Sequence, residues 1–182
     1  MNHFIDVGAN IGQTFDDFLC ATTDYDGWTI WCIGPSPRHI VELTAKAAQI
    51  RPRFDVRVCA FGFGLGGIEP FFWKDDPRGD SRCHYLSQGR LTINTDQLLI
   101  ATVPFNAFLR SLPEPERVIV KLDCEGTEYD ILQGLVEAPE LGMIESILVE
   151  WHEIREEGDA LERARLTDYF AKAGKELQGW YF

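Results

Sequence analysis

The sequence has no run approaching the ~18 apolar residues that a bilayer-spanning helix needs. Its opening stretch, MNHFIDVGAN, carries neither the basic segment nor the apolar core of a secretory signal, which predicts a cytoplasmic protein. Positive charge is scarce: 17 Lys and Arg stand against 29 Asp and Glu, a formal net charge of -12. Such a chain repels a phosphate backbone, and no basic run with interleaved aromatics offsets this, so nucleic acid is excluded as the expected partner. The five cysteines, Cys20, Cys32, Cys59, Cys83 and Cys124, form no C-x-x-C pair and no Cys/His cluster at zinc spacing. Free, buried thiols in a reducing compartment are the expectation. Repeats, low-complexity tracts and Gly/Ser linkers are also lacking, and 182 residues suit one domain, taken as residues 1–182.

What is present is ordinary globular composition, 45% apolar and 25% charged, arranged as short apolar runs alternating with helical stretches. Residues 4–7 form a first strand stopped by Gly8, and helical spacing follows, with Phe15, Phe18 and Leu19 opposite Asp16 and Asp17. A second run at 29–33 ends at Gly34-Pro35-Ser36-Pro37, after which Ile40, Leu43, Ala47 and Ile50 recur at helical spacing. A third run at 56–61 ends in the glycine-dense FGFGLGG. Three such units in series predict an α/β fold with a parallel sheet and right-handed crossovers. Residues 66–91 read as a loop over the site, with Phe71-Phe72-Trp73 as a short strand inside it. Further on come a strand edge and short helix at 103–109, the strongest strand at 118–122, a helix at 128–135, a strand at 144–149, a helix at 160–172 and an edge strand at 178–182.

Three groups of residues carry chemistry. Asp6-Val7-Gly8-Ala9-Asn10-Ile11-Gly12 lies where the first strand feeds the first helix, the place where doubly wound sheets bind nucleotide-like ligands. Gly8 and Gly12 permit tight turning and close backbone approach, and Asn10 tolerates a left-handed conformation. The second group, Lys121-Leu122-Asp123-Cys124-Glu125-Gly126-Thr127-Glu128, puts Lys121 and Asp123 on one side of a buried strand. An internal Lys121 salt bridge and a cap from Glu128 account for these charges structurally; a bound ligand would partner them equally well. The third is Glu150-Trp151-His152, where an imidazole that titrates near neutrality suits a general base.

These segments resemble the FkbM-type methyltransferases, a family with the class I S-adenosylmethionine-dependent fold. The match runs through F-I-D-V-G-A-N-I-G-Q-T at residues 4–14, V-K-L-D-C-E-G-T-E-Y-D-I-L-Q-G-L at 120–135 and I-L-V-E-W-H at 147–152, with the middle, 66–103, matching only loosely. The resemblance implies a three-layer Rossmann-like fold, a mostly parallel seven-stranded sheet whose last strand is antiparallel, and helices on both faces. It implies methylation of a hydroxyl on a sugar, a glycan or a related small molecule. Asp6, Gly8, Ala9, Asn10, Gly12 and Gln13 would then line the methionine side of the cofactor, Asp123 and Glu125 would border the reaction centre, and Glu150 and His152 would face them.

One position departs from the family pattern: Gly34 stands where an acidic residue before a proline would hold the ribose hydroxyls. A charged hydrogen bond is worth about 1.5–3 kcal/mol, so its loss weakens cofactor binding by on the order of ten- to a hundredfold. Ser36 or a bridging water would compensate. Catalysis is expected from His152 as base, with Asp123 or Glu150 orienting it and Lys121 beside them; a divalent metal such as magnesium, bound by Asp123 and Glu150, would do the same job. Two other readings are open, the first supported by Gly34. A non-catalytic binding module on a degenerate methyltransferase fold is one; a nicotinamide dehydrogenase is weakened by the same missing acid and by Asn10 in place of the middle glycine. The stretch 75–89, with Trp73, Arg78, Arg82, His84 and Tyr85 in and around it, suits a sugar acceptor or an ordinary exposed loop.

Overall fold

β1 (Asn2–Val7) is buried from His3 to Val7, the pattern of a strand covered on both faces. Its alternate side chains enter two separate cores. Phe4 packs with Ile30, Cys32, Leu43, Ala47 and Ile119, whereas Ile5 and Val7 pack with Phe105, Leu109, Leu132, Ile147 and Leu166. The computed structural model describes residues 1–15, 26–51, 53–74, 82–84, 96–152 and 156–180. The helix expected after Gly12 lies largely outside them, Phe18 and Leu19 included.

The elements that follow are β2 (Thr29–Ile33), α1 (Pro37–Ile50), β3 (Asp55–Cys59), β4 (Gly62–Phe63), β5 (Gly67–Lys74), β6 (Arg82–His84), β7 (Asp96–Val103) and α2 (Phe105–Ser111). Then come β8 (Arg117–Leu122), α3 (Thr127–Leu135), a 3-10 turn at Pro139–Met143, β9 (Ser146–Val149), α4 (Glu156–Lys172) and β10 (Leu177–Gly179). α1 begins with proline at its first turn, where the missing N–H costs nothing, and buries Leu43, Ala47 and Ile50 at helical spacing. α2, α3 and α4 contribute Leu109, Leu132 and Leu166 to the opposite core, so described helices cover both faces.

The main sheet has six strands in the order β10-β9-β8-β1-β2-β3, every neighbouring pair parallel. This is a Rossmann-like α/β architecture, with one strand fewer among the described residues than the seven expected. The antiparallel last strand is also corrected: β10 pairs parallel with β9, Leu177 opposite Ile147. The reason is α4, a 17-residue crossover that returns the chain to the edge where β9 began. β3 is not followed by a helix either. It leads into a second sheet, β4-β7-β5-β6, in which β5 pairs antiparallel with β7 and β6.

That second sheet occupies part of the stretch read as a loop, 66–91. Two features of β5 hide it from a period-2 reading. Pro70 interrupts it, although it lies beyond the residues that pair with β6. The alternation is also inverted, since Glu69 is bonded to the Thr102 hydroxyl (2.6 Å) and the Leu65 N–H (2.9 Å), while Ile68 and Leu99 are exposed. Of the acceptor-binding stretch expected at 75–89, only the backbone of Arg82–His84 falls among the described residues; Arg78 and Tyr85 lie outside them, and so do the side chains of Trp73, Arg82 and His84. No described helix is long and apolar enough to cross a membrane.

Candidate functional site

Strand order reverses between β1 and β8, because the chain builds outward through β2 and β3 on one side and through β9 and β10 on the other. At such a switch point the crossovers diverge, leaving a crevice beyond the carboxyl ends of the two central strands. Sheet-like hydrogen bonding runs one residue past each strand. Gly8 N–H donates to Ile33 O, Asp123 N–H to Val7 O, Glu150 N–H to Leu122 O and Gly34 N–H to Cys59 O, at 2.8 to 3.1 Å. Gly34, Gly8, Asp123 and Glu150 thereby stand in a row along one edge.

Gly8 is required by geometry. Its φ is +82°, and a Cβ there would lie 1.6 Å from the Asp123 carbonyl oxygen, a backbone atom that cannot step aside. Asn10 adopts the left-handed conformation (φ 45°) that its residue type tolerates. Ala9 is buried, whereas Asn10 and Gln13 are exposed on the turn. Ser36 is the N-cap of α1 but makes no side-chain capping bond. A Cβ at Gly34 would meet no heavy atom within 4 Å.

Beneath the turn, alternation sets Asp6 and Lys121 directly opposite each other on adjacent strands. The Lys121 ammonium is 2% exposed and donates to Asp6 Oδ1 and Asp123 Oδ2, each at 3.0 Å. Burial disfavours its charge, but the two carboxylates outweigh burial and raise its pKa, so Lys121 stays cationic. Asp6 Oδ2 is buried and has no hydrogen-bond partner among the described residues. A buried carboxylate oxygen left without a donor is costly, and the crevice lies beside it.

The turn after β8 contains two successive left-handed residues, Glu125 (φ 53°) and Gly126 (φ 104°), which lead the chain sharply into α3. The turn holds Asp123, Glu125 and Glu128 close to the end of β9. His152 sits among them, with Nε2 3.8 Å from Asp123, 3.8 Å from Glu125 and 4.0 Å from Glu150, and Nδ1 3.2 Å from Glu128 Oε1. Burial opposes protonation of the imidazole, yet the hydrogen bond and charge of Glu128, with Glu125 and Asp123, raise its pKa to about 9. His152 therefore carries a proton at neutral pH. Burial, reinforced by Asp123, also pushes the Glu150 carboxyl up. The Cys124 thiol is pushed well up by burial and then by Glu128, so it stays protonated. Trp151 closes the back of the site against Tyr129, ring centroids 5.3 Å apart.

A family model described as "Methyltransferase FkbM domain" matches residues 6–177. The chain belongs to the FkbM methyltransferase family. It is accordingly a methyltransferase. Comparison with curated proteins and with solved structures gives no significant match. The residues singled out from sequence fall in three groups in this FkbM domain. Lys121 bonds Asp6 and Asp123, and His152 lies within ion-pair range of Asp123, Glu125 and Glu150; Gly8, Ala9, Asn10, Gly12 and Gln13 form the turn after β1, and Gly34 and Ser36 lie along the edge beyond β2. Glu128 was read from the sequence as a cap or as one of the charges a bound ligand would partner. It does accept the Gly126 N–H (2.7 Å), but it also binds His152, 24 residues further along the chain.

Proposed function

We propose that this FkbM domain, taken as one unit over residues 1–182, is an S-adenosylmethionine-dependent O-methyltransferase. It acts in the cytoplasm on a hydroxyl of a sugar, a glycan or a related small molecule. The observation that carries the cofactor assignment is the pairing of Gly8, which has no room for a Cβ, with Asp6 Oδ2 at the switch point, which has no partner among the described residues. Backbone groups of Gly8, Ala9, Asn10 and Gly12, with Gln13, would hold the methionine portion, and Asp6 Oδ2 would accept from its ammonium. At the ribose end Gly34 supplies no carboxylate, so the Ser36 hydroxyl or a water takes that place. The cofactor supplies an electrophilic methyl on a sulfonium.

The remaining work falls to the protein. Lys121 fixes Asp6 and Asp123 from below, which holds both carboxylates in place while the cofactor and acceptor exchange. Asp123, Glu125 and Glu150 orient the acceptor. His152 Nε2 takes the hydroxyl proton as the oxygen attacks, which requires the neutral imidazole. Asp123, Glu150 and His152 offer three potential cation-ligand atoms within 4.8 Å of one another. No step is assigned to a metal there.

With methyl-labelled S-adenosylmethionine and a panel of sugars, the protein is expected to place label on oxygen. His152→Ala is expected to slow transfer by on the order of 10²–10⁴-fold, with cofactor affinity little changed. Full activity in that variant removes His152 from the mechanism, and label on nitrogen contradicts the O-methyl assignment.

A further inference from the structure

Glu128 is fully buried, yet its carboxylate is saturated with donors. Oε1 accepts from the His152 backbone N–H at 2.9 Å and lies 3.2 Å from His152 Nδ1. Oε2 accepts from the Gly126 N–H at 2.7 Å and from the Cys124 thiol at 3.6 Å. One side chain thus ties the turn after β8, the start of α3 and the residue beyond β9 into a single unit.

The chemistry of those partners settles a proton position. An ionised carboxylate only accepts, so the ring nitrogen facing it must donate. His152 Nδ1 is therefore the nitrogen that keeps its hydrogen, and Nε2, turned toward Asp123, Glu125 and Glu150, is the one that can be basic. We infer that Glu128 is the positioning residue of the site: it locks His152 in the Nδ1–H tautomer and aims Nε2 at the acceptor. The inference rests on His152 being the base of the proposed methyl transfer. It also explains why a carboxylate with no exposure stands at this point of α3, where a polar residue of any kind would cap. The groups facing the ring are Glu128 from α3, Asp123 and Glu125 from the turn, and Glu150 from the end of β9.

The test is long-range 1H–15N NMR on cofactor-free protein labelled with 15N in the imidazole rings. The chain has four histidines, and a His152→Gln spectrum identifies the signals that belong to His152. Above the titration midpoint of His152, Nδ1 is expected to show the shift of a protonated nitrogen and Nε2 that of a bare one. In Glu128→Gln the midpoint is expected to fall by about one to three units, and Glu128→Asp should restore part of the difference. The Nε2–H tautomer in the unaltered protein, or an unmoved midpoint in Glu128→Gln, overturns the inference. Should Glu128→Gln not fold, the tautomer of the unaltered protein decides alone. Because no cofactor is present, failure of S-adenosylmethionine to bind would reject the methyl-transfer reading by a separate route.

Discussion

His3, on β1 near the amino edge of the sheet, and His152, just past the carboxyl edge, are imidazoles held by the same fold in opposite protonation states. His3 is fully buried; Trp31 Nε1–H donates to its Nδ1 (3.2 Å), which leaves Nε2 to donate to the Pro113 carbonyl (3.1 Å). An indole only donates and a carbonyl only accepts, so this pair admits one proton and no second. Burial, chiefly, lowers the His3 pKa. His152 meets carboxylates instead, and its pKa rises to about 9. Burial works against the charge at both ends; the chemistry of the partners decides which imidazole is charged. His3 is closed in by neutral bonds, whereas His152 stands among carboxylates.

Removing a charge at the carboxyl edge should break the contrast most severely. Lys121→Met leaves Asp6 buried without its cation and is expected to cost about 3–5 kcal/mol in urea unfolding. At the amino edge, Arg117→Met removes an exposed ion pair with Glu145 and should cost about 1 kcal/mol or less. Equal losses would show that burial does not separate the two edges.

The pH dependence of stability sharpens the comparison. The folded pKa of His152 lies above its unfolded value of 6.5, so the stability it contributes is complete below about pH 6.5 and is lost as pH rises through about 9. This contribution is on the order of 3 kcal/mol, and His152→Gln should flatten the alkaline limb. Methyl transfer should show the reverse trend, rising toward pH 9 as Nε2 loses its proton.

A further variant contrasts two glycines on the carboxyl edge. The space around Gly34 admits a side chain where Gly8 admits none, so Gly34→Glu should raise S-adenosylmethionine affinity by about ten- to a hundredfold, measured by calorimetry. The smallest effect belongs to His3. Its folded pKa is depressed, so its contribution is present above about pH 6.5, its unfolded value, and is lost as pH falls through the folded pKa. His3→Gln should flatten the acid limb and leave the alkaline limb alone.

The central strands and their turns were legible because their signals are local. Asp6 to Gly12 and Lys121 to Glu128 each pair an apolar strand with a turn that only certain residues enter, and Asn10 takes the left-handed conformation its type suggests. The second sheet was not legible, since β5 turns Glu69 inward and Ile68 outward, and its partner β7 begins beyond residue 95. The parallel pairing of β10 is likewise a matter of where α4 returns the chain. The contact between Glu128 and His152 joins residues 24 apart, so the same glutamate that reads as a helix cap gives no local sign of its second partner.

Calorimetric titration of the purified protein with S-adenosylmethionine and with S-adenosylhomocysteine tests the central claim most directly. A crevice built by Gly8, Asp6 and the turn to Gly12 predicts binding in the micromolar range despite Gly34. No heat from either ligand at millimolar concentration would contradict the enzyme reading and point to a methyltransferase fold that serves binding alone.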